Sequence, residues 1–160
     1  MLAYLQGLSL GLAYVAPIGV QNLFVINAGL SQPRAAAYRT ALIVIFFDVT
    51  LALAGFFGIG ALIEHSELIR KGVLLAGSLV VMYMGLRLML SREVAGPAIN
   101  VNIPLMKTIG MACVVTWFNP QAIIDVSLLL GSFRAALPPE ESGLFLWGVV
   151  CASCLWFLSL

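Results

Sequence analysis

Two stretches of the chain decide its fold: residues 16–22 read APIGVQN, and residues 117–122 read WFNPQA. Each places a proline and neighbouring amide side chains inside an otherwise apolar segment. A proline in that position removes a backbone hydrogen-bond donor and interrupts an α-helix. The sequence therefore predicts a helical protein in which two of the helical segments are broken.

The composition around these breaks is typical of a membrane protein. Of the 160 residues, 62% are hydrophobic and 9% are charged, and the mean hydropathy is +1.07. A soluble domain of this size could not bury so much apolar surface, and a net charge of +1 gives no sign of nucleic-acid binding. We therefore predict an all-α, polytopic helix bundle in a lipid bilayer.

The few charged residues separate five predicted membrane spans. The first covers about residues 2–30, which as one straight helix would be about 43 Å long against about 30 Å of hydrocarbon. We expect it to form two half-helices, or one strongly tilted and kinked helix. The other spans are predicted at about 40–63, 72–90, 108–133 and from 143 onward.

We interpret residues 1–160 as one transporter domain made of two halves. The first half is residues 1–90, the linker is 91–107, and the second half is 108–160. The broken spans are the first and the fourth, three steps apart and so oppositely oriented, and the halves are therefore predicted to be inverted three-helix repeats. A complete second half would extend beyond Leu160, so we expect the second half to be truncated.

The repeat is visible in the spacing of the breaks and one acidic residue. Asp48 follows Pro17 by 31 residues, and the same step from Pro120 reaches Cys151, two positions before Ser153. Broken helices at matching places in inverted halves indicate the midplane binding site of a transporter. The alternative is a pair of kinks that serve packing alone.

A break supplies the chemistry to bind a carboxylate. The half-helix after the break begins with unpaired N–H groups at the positive end of its dipole, and amide side chains add further donors and acceptors. The candidate residues are Pro17, Gly19 and Pro120 at the breaks and Gln21, Asn22, Asn119 and Gln121 beside them.

Two acidic residues lie within the spans. Asp48 and Asp125 have no lysine or arginine at the same depth of the predicted spans, and a carboxylate there is costly unless it faces water or a partner. Each is therefore either protonated at rest or awaits a cationic ligand or a proton; the alternative is a neutral acid bonded to nearby backbone. Gln121 and Asp125 are four residues apart and share a helix face.

The sequence contains no pattern typical of an enzyme. We expect no catalytic residue, no metal site and no cofactor. Cys113, Cys151 and Cys154 lie in apolar spans, and we interpret them as small residues that serve packing. The last two form a C-x-x-C spacing, which leaves a membrane thiol–disulfide redox carrier as an alternative function. His65 lies in a charged loop and is expected at the surface.

At the breaks and acids the sequence resembles the LysE-type lysine/arginine exporter family. The likeness extends over the whole chain and departs at Val20, where the family often has proline. The motifs that carry it are GLSLG at 7–11, PIGVQN at 17–22, Phe47-Asp48, and TWFNP at 116–120 with Asp125.

The resemblance implies a secondary active exporter of amino acids, most of all L-lysine and L-arginine, in the bacterial inner membrane. It implies a substrate carboxylate on the half-helix N-termini near 19–22 or 120–121, and a cationic side chain paired with Asp48 or Asp125. A proton or the membrane potential would drive export, and a homo-oligomer is left open. The alternative substrates are neutral amino acids or other small solutes, which need no acid in the membrane.

Overall fold

The structure of the chain is a computed structural model that describes residues 1–58 and 103–160, together with the single helical positions 71, 75, 79, 82 and 86. Every regular element in these residues is a helix, as the composition predicts. The helices are α1 (Leu2–Val15), α2 (Val20–Ser31), α3 (Arg34–Phe56), α4 (Leu105–Trp117), α5 (Pro120–Ala136) and α6 (Ser142–Ser159), with a 3-10 turn at Pro139–Glu141 before α6.

The first apolar segment consists of two helices that meet at 80°. Helix α1 ends at Val15, close to Pro17, which has no N–H with which to continue the helix. Gly19 then adopts an extended conformation and forms the N-cap of α2. The expectation of two half-helices is therefore confirmed.

The second break separates α4 from α5. Helix α4 ends at Trp117, and the axes of Leu105–Trp117 and Pro120–Gly131 differ by 54°. Pro120 is the first residue of α5, where its missing N–H costs nothing, because that position has no intrahelical acceptor. The prolines thus account for both breaks.

Helix α3 begins earlier than the sequence predicts. It starts at Arg34 rather than near Thr40, because Pro33 is the N-cap residue and its fixed φ suits a helix start. Arg34, the first helical residue, is exposed. Asp48 therefore lies in the second half of the helix, whereas the predicted span at about 40–63 would place it in the first half. Helix α3 ends at Phe56, before Gly58 with φ +97°, and residues 59–63 of the predicted span lie outside the described part.

Two single helices of the described part are long and apolar enough to cross a membrane: α3, and Pro139–Ser159 containing α6. Counting each bent pair as one span raises that number to four. The predicted third span at 72–90 lies outside the described residues except for positions 75, 79, 82 and 86, which are helical. The linker is described only from residue 103, and α4 begins at Leu105, before the predicted start at residue 108.

The closest helix packing joins α1 to α6. A methyl group added at Gly7 would overlap the carbonyl oxygen of Phe145, and one at Gly11 would lie 2.6 Å from the Cβ of Ala152. On α6, a methyl group at Gly148 would overlap the carbonyl oxygen of Tyr4. Small residues allow these backbones to touch, which brings Tyr14 at the end of α1 against the middle of α6.

Candidate functional site

The two helix breaks meet at one cavity. Its volume is about 380 Å³, which lies within the range of about 300–1,000 Å³ that is usual for small-molecule sites. The Cβ that Gly19 lacks would lie 4.0 Å from Nδ2 of Asn119, across the junction of the breaks. The lining residues are Tyr14, Val15, Pro17, Ile18, Gly19, Val20, Gln21, Asn22, Asn119, Pro120, Gln121, Ala122 and Asp125.

Most of the candidate residues named from the sequence lie at this cavity. All four amides and all three break residues line it, and so does Asp125. Asp48 does not line it. The structure thus brings eight of the nine residues to one place and sets the ninth behind the cavity wall.

Asp48 is fully buried, with 0% of its surface exposed. Its Oδ2 accepts hydrogen bonds from the hydroxyl of Tyr14 at 2.5 Å and from that of Ser153 at 2.6 Å. Its Oδ1 accepts a bond from Nε2 of Gln21 at 3.2 Å. All three donors are neutral side chains, so the carboxyl is solvated by the protein without a cation among these contacts.

Asp125 has a different environment. It is partly exposed, it lines the cavity, and its Oδ1 accepts a bond from Nε2 of Gln121 at 2.7 Å. This bond places the two side chains on one face of α5, as their spacing predicts. Asp125 is therefore the acidic group that a solute in the cavity would meet first.

The two half-helix N-termini also differ. Asn119 caps α5 by accepting a bond at its Oδ1 from the backbone N–H of Gln121 at 3.2 Å, and Pro120 has no N–H. Helix α2 has Gly19 as its N-cap, and no side chain caps it. The first N–H groups of α2 are thus the more available donors for an anion.

The comparison with known proteins identifies the class of the molecule. Residues 12–160 match the model of the protein family described as "LysE type translocator". This chain belongs to the LysE type translocator family. The predicted family is confirmed, and so is the expectation of a transporter rather than an enzyme. Because its helices are also long and apolar enough to span a bilayer, this LysE type translocator is a membrane protein.

Curated relatives of this LysE type translocator carry a more specific name. The Arginine exporter protein ArgO of Serratia proteamaculans is 33% identical over 161 residues, covering 98% of this chain and 78% of the relative. The protein of the same name from Escherichia coli strain K12 is 33% identical over 167 residues, covering 98% and 75%. No solved structure matches this chain.

Asn22 holds the first break of the translocator together. Its Nδ2 donates to the carbonyl oxygens of Val15 at 3.0 Å and Pro17 at 2.8 Å. Its Oδ1 accepts a bond from the indole Nε1 of Trp156 at 3.2 Å. These bonds use both N–H groups of the amide, so Asn22 stabilises the break more directly than it offers donors to a ligand.

Sequence reasoning missed Tyr14, Ser153 and Trp156 as parts of the site. Tyr14 shares a helix face with Gly7 and Gly11, the small residues at the contact with α6. This spacing is the sequence signal that places Tyr14 on the packed face of α1. Ser153 lies two residues from the position that the repeat spacing pairs with Asp48. Trp156 belongs to the site through its bond to Asn22, which lies 134 residues away in the chain.

The cysteines are free thiols, and all three are partly buried. Cys151 and Cys154 lie on successive turns of α6. Within the described part of the chain, no group of three or more His, Cys, Asp and Glu side chains could hold a metal ion. His65 lies outside the described residues.

Proposed function

We propose that this chain exports basic amino acids, arginine foremost, across the bacterial inner membrane, which it crosses several times. The observation that carries the proposal is the junction of the two helix breaks, where an uncapped helix N-terminus and an acidic side chain line the same cavity. Its relatives at about 33% identity, named arginine exporter proteins, support the choice of substrate.

The cavity offers a complementary group for each end of an arginine molecule. The α-carboxylate is proposed to bind the free N–H groups at the start of α2, beside Gly19, where the helix dipole favours an anion. The guanidinium is proposed to pair with Asp125, because a planar guanidinium binds a carboxylate through two parallel hydrogen bonds. Gln121 holds Asp125 in place, and Asn119 also lines the cavity.

Asp48 is proposed to serve coupling rather than direct substrate contact. It lies behind the cavity wall and is solvated by three neutral donors. Export of a +1 solute against an inside-negative potential costs about 2.3 kcal/mol per 100 mV. A proton that enters as arginine leaves would cancel this cost, and a buried carboxyl is a suitable group to carry that proton.

The organisation of the whole chain follows from the same proposal. We propose that residues 1–90 and 108–160 are inverted halves, joined by the linker at 91–107, and that each contributes one broken helix to the site. The exposed apolar side chains on the helices, such as Leu42 and Phe46 of α3, are suited to contact with lipid.

Counterflow in proteoliposomes tests the proposed function. Vesicles containing the purified chain are loaded with unlabelled arginine, and uptake of labelled arginine, lysine, homoserine and leucine is compared with that of protein-free vesicles. The proposal expects arginine and lysine to accumulate and the neutral amino acids to stay near the protein-free level. Accumulation of homoserine or leucine, without arginine or lysine, would support the neutral-solute alternative instead.

A further inference from the structure

The carboxyl of Asp48 is separated from the cavity by two side chains. Asp48 is 0% exposed and does not line the cavity, whereas both Tyr14 and Gln21 line it and donate hydrogen bonds to the carboxyl. Ser153 also donates to Asp48 but is itself 0% exposed and does not line the cavity. Within the described part of the chain, Tyr14 and Gln21 are therefore the two side chains through which a proton could move between the cavity and Asp48.

The two side chains differ in their ability to pass a proton. A tyrosine hydroxyl donates and accepts through the same oxygen, so it can give its proton to one neighbour while it takes another from the opposite side. The amide nitrogen of Gln21 is a donor only, and its oxygen is an acceptor only. Gln21 can therefore orient the carboxyl, but it cannot relay a proton without changing its bonding.

We propose that the hydroxyl of Tyr14 is the proton relay between the cavity and Asp48. The proposal rests on the proposed function, since it assumes that Asp48 couples proton entry to arginine export. In the step, the O–H bond of Tyr14 breaks as its proton forms a new O–H bond at Oδ2 of Asp48. A hydronium ion in the cavity gives a proton to the Tyr14 oxygen and becomes water, so Tyr14 ends neutral and the carboxylate becomes a carboxylic acid.

The geometry around Asp48 favours this route. The Tyr14 oxygen lies 2.5 Å from Oδ2, whereas the Gln21 nitrogen lies 3.2 Å from Oδ1. Among titratable groups on the packed elements, α6 places Cys154 near enough to interact electrostatically with Asp48, but Cys154 does not line the cavity. Helix α5 contributes Asp125, which does, and α4 contributes Cys113. Tyr14 is thus the one group in this set that both lines the cavity and contacts Asp48.

The test separates substrate movement from proton movement in proteoliposomes that contain the full chain. Equilibrium exchange of labelled for unlabelled arginine reports substrate binding and translocation without net proton flow. A pH dye inside the vesicles reports proton flux driven by an arginine gradient. For Tyr14→Phe, the proposal expects exchange within about threefold of wild type and proton flux reduced at least about tenfold.

Matched variants distinguish the loss of a proton route through Tyr14 from the loss of a hydrogen bond to Asp48. Ser153→Ala removes the other hydroxyl from the same Asp48 oxygen without touching the cavity, and its proton flux is expected to fall by no more than about threefold. Tyr38→Phe alters an exposed tyrosine of α3 and is expected to change neither readout. If Tyr14→Phe does not fold, Tyr14→Gln replaces it, because a glutamine can bond to Asp48 but cannot relay.

Each outcome decides between the two proposals. A wild-type chain that exchanges no arginine contradicts the proposed function, and the relay with it. Proton flux retained in Tyr14→Phe contradicts the relay alone. Equal losses of proton flux in Tyr14→Phe and Ser153→Ala also overturn it. Proton flux would then depend on the hydrogen bonds to Asp48 and not on a route through Tyr14. Loss of exchange together with flux in a folded Tyr14 variant overturns it as well, since the hydroxyl would then serve the substrate.

Discussion

The indole N–H of Trp156 donates a hydrogen bond to the side-chain oxygen of Asn22 over 3.2 Å, which joins the last helix of the chain to its first helix break. The same amide donates to the carbonyl oxygen of Val15, the last residue of α1, and to that of Pro17 in the break. The break is therefore a defined structure in which freed backbone carbonyls have partners. Its shape depends on α6, which is more than a hundred residues away in the sequence.

Replacing Asn22 with alanine is expected to destabilise the protein. The change leaves the carbonyls of Val15 and Pro17 and the indole of Trp156 without these partners, at a cost of about 1–3 kcal/mol for each group that stays buried and unpaired. Thermal unfolding of the purified protein in detergent measures the effect. Asn27→Ala, at an exposed position of the same helix, is the control; equal melting temperatures for the two variants would contradict the assigned role of Asn22.

The contact between α1 and α6 leads to a second stability prediction. Gly7→Ala places a methyl group against the carbonyl oxygen of Phe145, so the helices must separate, at a cost of about 1–3 kcal/mol. Gly110→Ala on α4 meets no described atom within 4 Å and is expected to stabilise the helix by about 0.5–1 kcal/mol. The melting temperatures should therefore move in opposite directions. A Gly7→Ala protein as stable as wild type would show that the helices are not in backbone contact.

The sequence predicts the helix breaks well because their causes are local. Pro17 and Pro120 remove backbone donors wherever the rest of the chain lies, and a span of about 29 residues is too long for one upright helix. Apolar content places the start of α3 too late, because Pro33 determines that end of the helix. Hydropathy alone does not locate a helix end that carries charged residues.

The surroundings of Asp48 could not be predicted from the sequence. Tyr14 is 34 residues away from Asp48 in the chain, and Ser153 is 105 residues away. Their contact depends on how α1, α3 and α6 pack. The periodicity of the sequence predicts which face of a helix is buried, but it does not predict which other helix packs against that face. Of the two acids within the predicted spans, Asp125 accordingly lines the cavity and Asp48 does not.

The separation of the two acids predicts distinct transport defects. Asp48→Asn is expected to keep arginine exchange within about threefold of wild type and to abolish proton flux driven by an arginine gradient. The reason is that Asp48 lies outside the cavity and the amide retains the shape of the carboxyl. Glu140→Gln, in the exposed turn before α6, is the control and should affect neither. Proton flux that persists in Asp48→Asn would mean that another group carries the proton.

We expect the junction of the two breaks to bind both charged ends of arginine. Equilibrium titration of the purified protein measures this binding. Arginine is compared with citrulline, which replaces the guanidinium by a neutral group of similar shape, and with agmatine, which lacks the α-carboxylate. We expect arginine to bind at least about tenfold more tightly than either analogue, a difference of about 1.4 kcal/mol, and Asp125→Asn to bind arginine and citrulline alike. Equal affinity of the wild-type protein for arginine and citrulline, or full discrimination between them in Asp125→Asn, would contradict the claim.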